Sequence, residues 1–356
     1  MSRWKEREKM RDTKQLFKYI GQRILLMIVT FLIIFILCFF LVRLLPITQA
    51  DAPGKDPEMF YITQVSMGRM YKGADGNYYS VPVFEQLCTF IKNLFNPSTF
   101  KDSDGNIQTI SRFGYTWKIG WMQSPMELLG KQLPPTILIN IYSMIISIPV
   151  GIGLGIYMAL KKNKWQDNVL SILVMLFISV PSFVYAFLLQ YVFAFKLQWF
   201  PDIRANFNNS WFEPEMLSSM VLPVFAMAFG SIAGFARYTR AELTEVLTSD
   251  FMLLARTKGL SRAQATVRHA LRNSMVPIFP MILGEIISVL SGSMIIEQIF
   301  AINGVGALFL QSIQSRDYDV FQFVSMFYIL IGLVGSLIVD ISYGLVDPRI
   351  RMGGKK

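Results

Sequence analysis

Six long apolar stretches, separated by polar and mostly charged segments, dominate the pattern of the chain. Ile24–Val42 carries no charge between Arg23 and Arg43, and Leu133–Leu160 and Val169–Phe195 are uncharged throughout. A fourth run covers about Met216–Ala236 and a fifth, about Met275–Ile299, contains Glu285 and Glu297. The sixth covers about Val320–Leu345, with Asp340 near its end. A bilayer takes roughly 20 residues of helix to cross, so the pattern predicts an all-α integral membrane protein with six transmembrane helices. Pro134-Pro135, Pro223 and Pro277 lie in or at the start of runs, and Pro181 in mid-run predicts a kink. Gly151, Gly153 and Gly155 offer small residues for close helix packing.

The polar segments divide the rest: residues 1–23 as a tail, 24–45 as the first span, 46–132 as a hydrophilic segment of mixed or irregular structure, 133–345 as a membrane core, and 346–356 as a second tail. In the hydrophilic segment, Asp75-Gly76-Asn77 and Asp104-Gly105-Asn106 read as tight turns between short strands. Asp102-Ser103-Asp104-Gly105 lacks the further carboxylates of a calcium loop and reads as a plain turn. Phe84–Phe95 has the spacing of a short amphipathic helix at a membrane face. Within the core, residues 237–274 form a charged loop. Leu243, Leu247, Phe251 and Leu254 recur there at helical spacing. Gly259 then fits the left-handed position after a helix end, and Ser261-Arg262-Ala263-Gln264 fits a capping box. The loop therefore predicts helix, glycine turn, helix.

Composition supports a lipid-solvated chain. Of 356 residues 53% are hydrophobic and 16% charged, against ~45–50% and ~25% in soluble domains. The net charge of +10 falls on one side. The two tails, the 161–167 loop and the 237–272 loop hold 22 Lys and Arg against 8 acids; the remaining connections hold 12 against 13. By the positive-inside rule both termini and the charged loop face the cytoplasm, and segment 46–132 lies outside. This distribution points to a membrane surface, with no nucleic-acid partner. Trp117, Trp121, Trp165, Trp199 and Trp211 flank spans as an aromatic belt would. Ala50-Asp51-Ala52 has the small-x-small look of a cleavage site, yet the first run exceeds the ~7–15 residues of a signal-peptide core and reads as a retained helix.

The chemistry-bearing residues are few. Cys38 and Cys88 make no disulfide framework. One histidine, His269, supports neither a metal centre nor a catalytic set and reads as a solvated surface residue. There is no phosphate-binding Gly-x-x-x-x-Gly-Lys-Ser/Thr loop, so no cofactor is expected on this chain. Intramembrane acids are functional candidates because burying them is costly. Glu285 is the most central and could line a water-filled path. Glu297 and Asp340, near the C-terminal ends of their runs and within reach of water, read as local hydrogen-bonding groups.

Ala255-Arg256-Thr257-Lys258-Gly259-Leu260, followed by Arg268-His269-Ala270-Leu271-Arg272-Asn273 and Pro277, resembles the signature cytoplasmic loop of ABC importer permeases. The oligopeptide/dipeptide/nickel branch, and the first of its two permease subunits, is the nearest pattern. Arg43-Leu44-Leu45-Pro46, Leu133-Pro134-Pro135-Thr136, Arg316-Asp317-Tyr318 and Asp347-Pro348-Arg349-Ile350-Arg351 extend the resemblance over about Leu16 to Arg351. Three departures stand out: Leu253, Leu254 and Ala255 where the general pattern has Glu-Ala-Ala, Ile47-Thr48-Gln49 where Gly-Asp-Pro is frequent, and Asp319 where proline is usual. The resemblance implies a type I ABC importer permease fold and half of a translocation path for peptides. It also implies a second homologous permease, two ABC ATPases carrying ATP and Mg, an extracellular substrate-binding protein, and a bacterial plasma membrane. In that frame Leu254 and Leu260 supply apolar contact to an ATPase, Ala255 and Gly259 allow close approach, and Arg256 and Lys258 pair with partner carboxylates. A basic hairpin lying on anionic headgroups is the alternative for the loop. Nickel or another small solute is the alternative substrate. An ion-coupled secondary transporter and a membrane receptor or scaffold are the alternatives of other classes.

Overall fold

The computed structural model describes residues 2–45, 57–101, 106–201 and 212–346. Two units divide the chain: residues 1–27, 135–306 and 331–356 form one, and residues 28–134 with 307–330 form the other. Ala50–Ala52, Trp211, the Asp102–Gly105 turn and the Asp347–Arg351 motif lie outside the described residues.

The long helices differ from the predicted runs mainly at their ends. α1 (Ser2–Arg43) starts well before Ile24, because the Lys-, Arg-, Glu- and Gln-rich tail consists of good helix formers. α4 (Pro125–Leu160) starts eight residues before Leu133, so Pro134 and Pro135 lie inside it. Pro125 takes the start, where its missing N–H has no intrahelical partner to lose.

The third run is sharply broken. α5 (Trp165–Ser179) and α6 (Ser182–Leu189), the latter extended by a π-helical turn Gln190–Lys196, meet at 101°. Pro181 supplies no N–H there and holds Val180 in an extended conformation, φ −83° and ψ 127°. α7 (Pro214–Leu247) accommodates Pro223 and runs eleven residues past Ala236 into the charged loop. α8 (Asp250–Thr257), α9 (Arg262–Ala265), a π-helical turn Thr266–Ala270 and α10 (Leu271–Ser274) follow.

The expected continuous fifth span is corrected. α11 (Ile278–Ser288) ends eleven residues before Ile299; Gly292 turns the chain at φ 64°, and Ser293 caps a separate short helix, α12 (Met294–Ile299). α13 (Val305–Gln314) and α14 (Tyr318–Val346) are the last of the described elements. Among the described residues four helices are long and apolar enough to cross a bilayer alone, and two bent pairs bring the number to six if each pair is one crossing.

In the first unit, α4 lies directly on α7. A Cβ at Gly151 would stand 2.7 Å from Phe235 Cβ, and one at Gly155 2.5 Å from Thr239 Cβ; Gly153 faces open space. The glycine contact is therefore a pair four residues apart, since 3.6 residues per turn carries Gly153 to the other side. On another face of α7, Asp167 accepts two hydrogen bonds from Arg240, at 2.6 and 2.8 Å, joining α5 to α7.

The second unit contains α2 (Pro57–Ser66), the hairpin β1 (Met70–Lys72) and β2 (Tyr78–Ser80), α3 (Val83–Phe95), and the hairpin β3 (Thr99–Lys101) and β4 (Ile107–Thr109). Tyr71 pairs with Tyr79 and Phe100 with Gln108, both antiparallel. Gly76 makes the first hairpin turn at φ 84°. Trp117, expected in an aromatic belt, instead packs edge-on against Phe60 in a core with Met59, Phe100 and Tyr115, and Trp121 packs against it. α3 buries Leu87 and Phe90 against Phe35, Phe39 and Met326, while Phe84, Ile91 and Phe95 are exposed. Asp317 closes the loop before α14: its Oδ2 accepts from the Thr116 hydroxyl and from the N–H groups of Trp117, Lys118 and Ile119. Burial pushes this carboxyl up, and those hydrogen bonds offset the effect only in part.

Candidate functional site

The charged loop is a built elbow. At the end of α8 the Leu260 N–H reaches the Ala255 carbonyl at 3.4 Å and the Gly259 N–H reaches Arg256 at 3.0 Å, the paired bonds of a Schellman turn. Gly259 sits at φ 90°, which an L side chain adopts only with strain. Ser261 opens the next helix with a full capping box: its hydroxyl accepts the Gln264 N–H at 3.3 Å, and Gln264 Oε1 accepts the Ser261 N–H at 3.1 Å. Beneath the turn Ala159, Leu243, Met252, Ala265 and Ala270 are buried together. The protrusion is thus held by its own core and by the ends of α4 and α7.

The side chains divide across this elbow. Leu254, Arg256, Lys258 and Gly259 are exposed, whereas Ala255 and Leu260 turn inward onto the buried cluster. Leu253 and Val267 are exposed as well. Neither leucine of the Leu253-Leu254 pair enters the core beneath the turn. His269 is exposed, as expected.

The three membrane acids occupy three different settings. Glu285, on α11, accepts a hydrogen bond from the Ser231 hydroxyl of α7 at 2.7 Å and borders a cavity of about 200 Å³. Glu297 is fully buried and lies in the first turn of α12, which overturns the expectation of a C-terminal group within reach of water. The Thr136 hydroxyl donates to it at 2.9 Å and accepts the Val305 N–H at 2.8 Å. Gly292, Gly304 and Gly306 crowd around it, each too close for a Cβ. Asp340 pairs with Arg23 at 3.1 Å in a partly exposed position. The fold does not gather these acids, and no group of three His, Cys, Asp or Glu able to hold a metal occurs among the described residues.

Residues 151–352, more than half of the chain, match the family described as binding-protein-dependent transport system inner membrane component. The chain belongs to this permease family. The permease is 32% identical over 342 residues to the dipeptide transport system permease protein of Bacillus subtilis (strain 168), covering 95% of this chain and 99% of that one. It is 29% identical over 341 residues to the oligopeptide transport system permease protein of Haemophilus influenzae, covering 94% and 100%. It is 28% identical over 339 residues to the glutathione transport system permease protein of Escherichia coli (strain K12), covering 94% and 99%. The matched region of the permease takes in the whole elbow, Glu285 and Glu297. It begins after Thr136 and Asn140, the α4 residues on which the settings of those acids depend.

Proposed function

We propose that this permease imports peptides as one half of a translocation path, driven by ATP hydrolysis on partner subunits. The similarity that carries this reading extends over almost the full length of relatives named for dipeptides, oligopeptides and glutathione. A second homologous permease supplies the other half of the path, an extracellular binding protein delivers the peptide, and two ABC ATPases hold ATP and Mg. This chain holds no cofactor. Both termini and the elbow face the cytoplasm of a bacterial cell, and segment 46–132 faces outward, in line with the charge distribution.

The elbow is the coupling element in this reading. Transmitting work from a soluble motor to membrane helices requires a rigid protrusion, and the Schellman turn, capping box and private core supply one. Leu254, Arg256, Lys258 and Gly259 meet the ATPase directly, and Ala255 and Leu260 hold the turn in shape. Among the membrane acids, Glu285 faces the path; Glu297 and Asp340 position helices. Reconstitution of both permeases, the ATPases and the binding protein in liposomes tests the assignment. ATP-dependent uptake of a labelled dipeptide, without uptake of nickel, is the expected result. Uptake by the permeases alone under an ion gradient would instead make this a secondary carrier.

A further inference from the structure

The cavity at Glu285 has a chemistry of its own. Its polar lining is Asn140 and Ser143 of α4, Ser231 of α7, Glu285 and Ser288 of α11, and Ser291 beyond it, with Met144, Met227 and Val289 as apolar wall. No cationic side chain lines it among the described residues. Three of its donors are already engaged. Ser231 donates to Glu285 Oε1 at 2.7 Å, Ser288 donates to the Glu285 carbonyl at 2.7 Å, and Asn140 Nδ2 donates to the Thr136 carbonyl at 2.8 Å. Acceptor oxygens outnumber the remaining donors among the lining residues: the carboxylate of Glu285, Asn140 Oδ1, and the serine hydroxyl oxygens. A cavity that is rich in acceptors, carries one negative charge and sits between apolar helices is complementary to a hydrogen-bond donor of positive charge.

We propose that this cavity binds an ammonium group, the free α-amine of a peptide in transit; the assignment rests on the peptide-import reading above. An ammonium carries three donors, which fit Glu285 Oε2, Asn140 Oδ1 and one serine oxygen. The width favours it over a bare metal ion. Hard cations require oxygens gathered at roughly 2.0–2.6 Å, whereas a space of about 200 Å³ admits an ammonium with the residue attached to it. The methionines of the wall fit varied side chains, because an unbranched thioether adapts its shape at little cost. A carboxylate terminus is rejected by the same charge that draws the amine.

The test uses the complete importer in liposomes and compares ATP-dependent uptake of one labelled tripeptide with a free and with an acetylated N-terminus. The binding protein's own affinity for the two forms is measured separately and divided out. The wild type is expected to favour the free amine beyond that affinity ratio. Glu285→Gln is expected to lower uptake of the free peptide about tenfold, the order of one charge-assisted hydrogen bond, and to abolish the residual preference. Glu285→Asp should retain part of it. Co-purification of the variants with the second permease and the ATPases reports folding. Equal preference in wild type and Glu285→Gln would overturn the site. So would a sodium dependence of wild-type uptake that Glu285→Gln removes, since the occupant would then be a metal ion. Failure of the wild type to take up any peptide would overturn the import reading, and this site with it.

Discussion

Arg69 clasps Asp319 through both guanidinium ends, with Nη1 2.8 Å from Oδ2 and Nη2 2.7 Å from Oδ1, although 250 residues separate them. Both side chains are buried, the Tyr115 N–H adds a bond to Asp319 at 3.2 Å, and Gly114 leaves room for the carboxylate. Asp319 anchors the hydrophilic segment to the start of α14. Breaking a buried pair costs about 3–5 kcal/mol because one charge is left without a partner. Arg43 Nη2 lies 3.9 Å from the same carboxylate, so it can take over when Arg69 is lost. Asp319→Ala should therefore destabilise more than Arg69→Ala, since it strands two arginines. Thermal unfolding of the purified subunits checks the order; equal losses would contradict the takeover by Arg43.

The helix contact between α4 and α7 separates glycines only two residues apart in the same apolar run. A methyl group at Gly155 meets Thr239 Cβ at 2.5 Å and the Ala236 carbonyl at 2.7 Å; at Gly153 it meets nothing. Gly155→Ala should cost about 1–3 kcal/mol through overpacking. Gly153→Ala should be neutral, or stabilise by up to about 1 kcal/mol by reducing backbone freedom. Paired melting temperatures of the two variants decide the matter.

Thr136 serves both Glu297 and the Val305 N–H through one hydroxyl. Thr136→Val keeps the shape and removes both bonds, leaving a buried N–H without that acceptor and the carboxylate one donor short. A loss of about 1–3 kcal/mol is expected, and Thr136→Ser should restore most of it. Indistinguishable melting of the Val and Ser variants would show that the hydroxyl contributes little.

At the elbow the demand is conformational, because nothing lies within 4 Å of a Cβ at Gly259 while its φ is 90°. Strain of about 1–3 kcal/mol is expected for a β-branched residue, and less for asparagine, which tolerates the left-handed region. Transport should rank wild type, Gly259→Asn, Gly259→Val, with membrane insertion unchanged. Wild-type uptake by a normally expressed Gly259→Val subunit would count against coupling through this turn. Reversing the charges of the exposed Arg256 and Lys258 to Glu should reduce co-purification of the ATPases.

The first hairpin carries a pH dependence of its own. The Tyr79 hydroxyl donates to Asp75 Oδ2 at 2.6 Å and Asn77 donates through Nδ2 and its backbone N–H; these bonds, that of Tyr79 foremost, hold the Asp75 carboxyl below the usual carboxylate range. The folded value lies below the unfolded one. The contribution is therefore complete above the ordinary range and disappears as pH falls through the lowered value. Tyr79→Phe should move the loss of hydrogen-exchange protection in residues 70–80 to higher pH. An unshifted profile would remove Tyr79 as the cause.

Local chemistry made much of this permease legible in its residues. Apolar run lengths marked the membrane helices, Pro181 marked the break in the third, and Gly259 with the Ser261–Gln264 box marked the elbow, because each is dictated by backbone geometry within a few positions. Which way a side chain faces, and what it meets, depended on distant chain. The burial of Glu297 needed the glycines at 292, 304 and 306 and a threonine from α4. The inward turn of Leu260 needed the core under the loop, and the role of Asp319 needed Arg69. The fifth run stopped short because Gly292 and Ser293 offered a turn and a new cap that hydropathy does not register. Hydropathy reports the solvent a segment prefers. The partners of a buried polar group are set by contacts that exist only once the helices have packed.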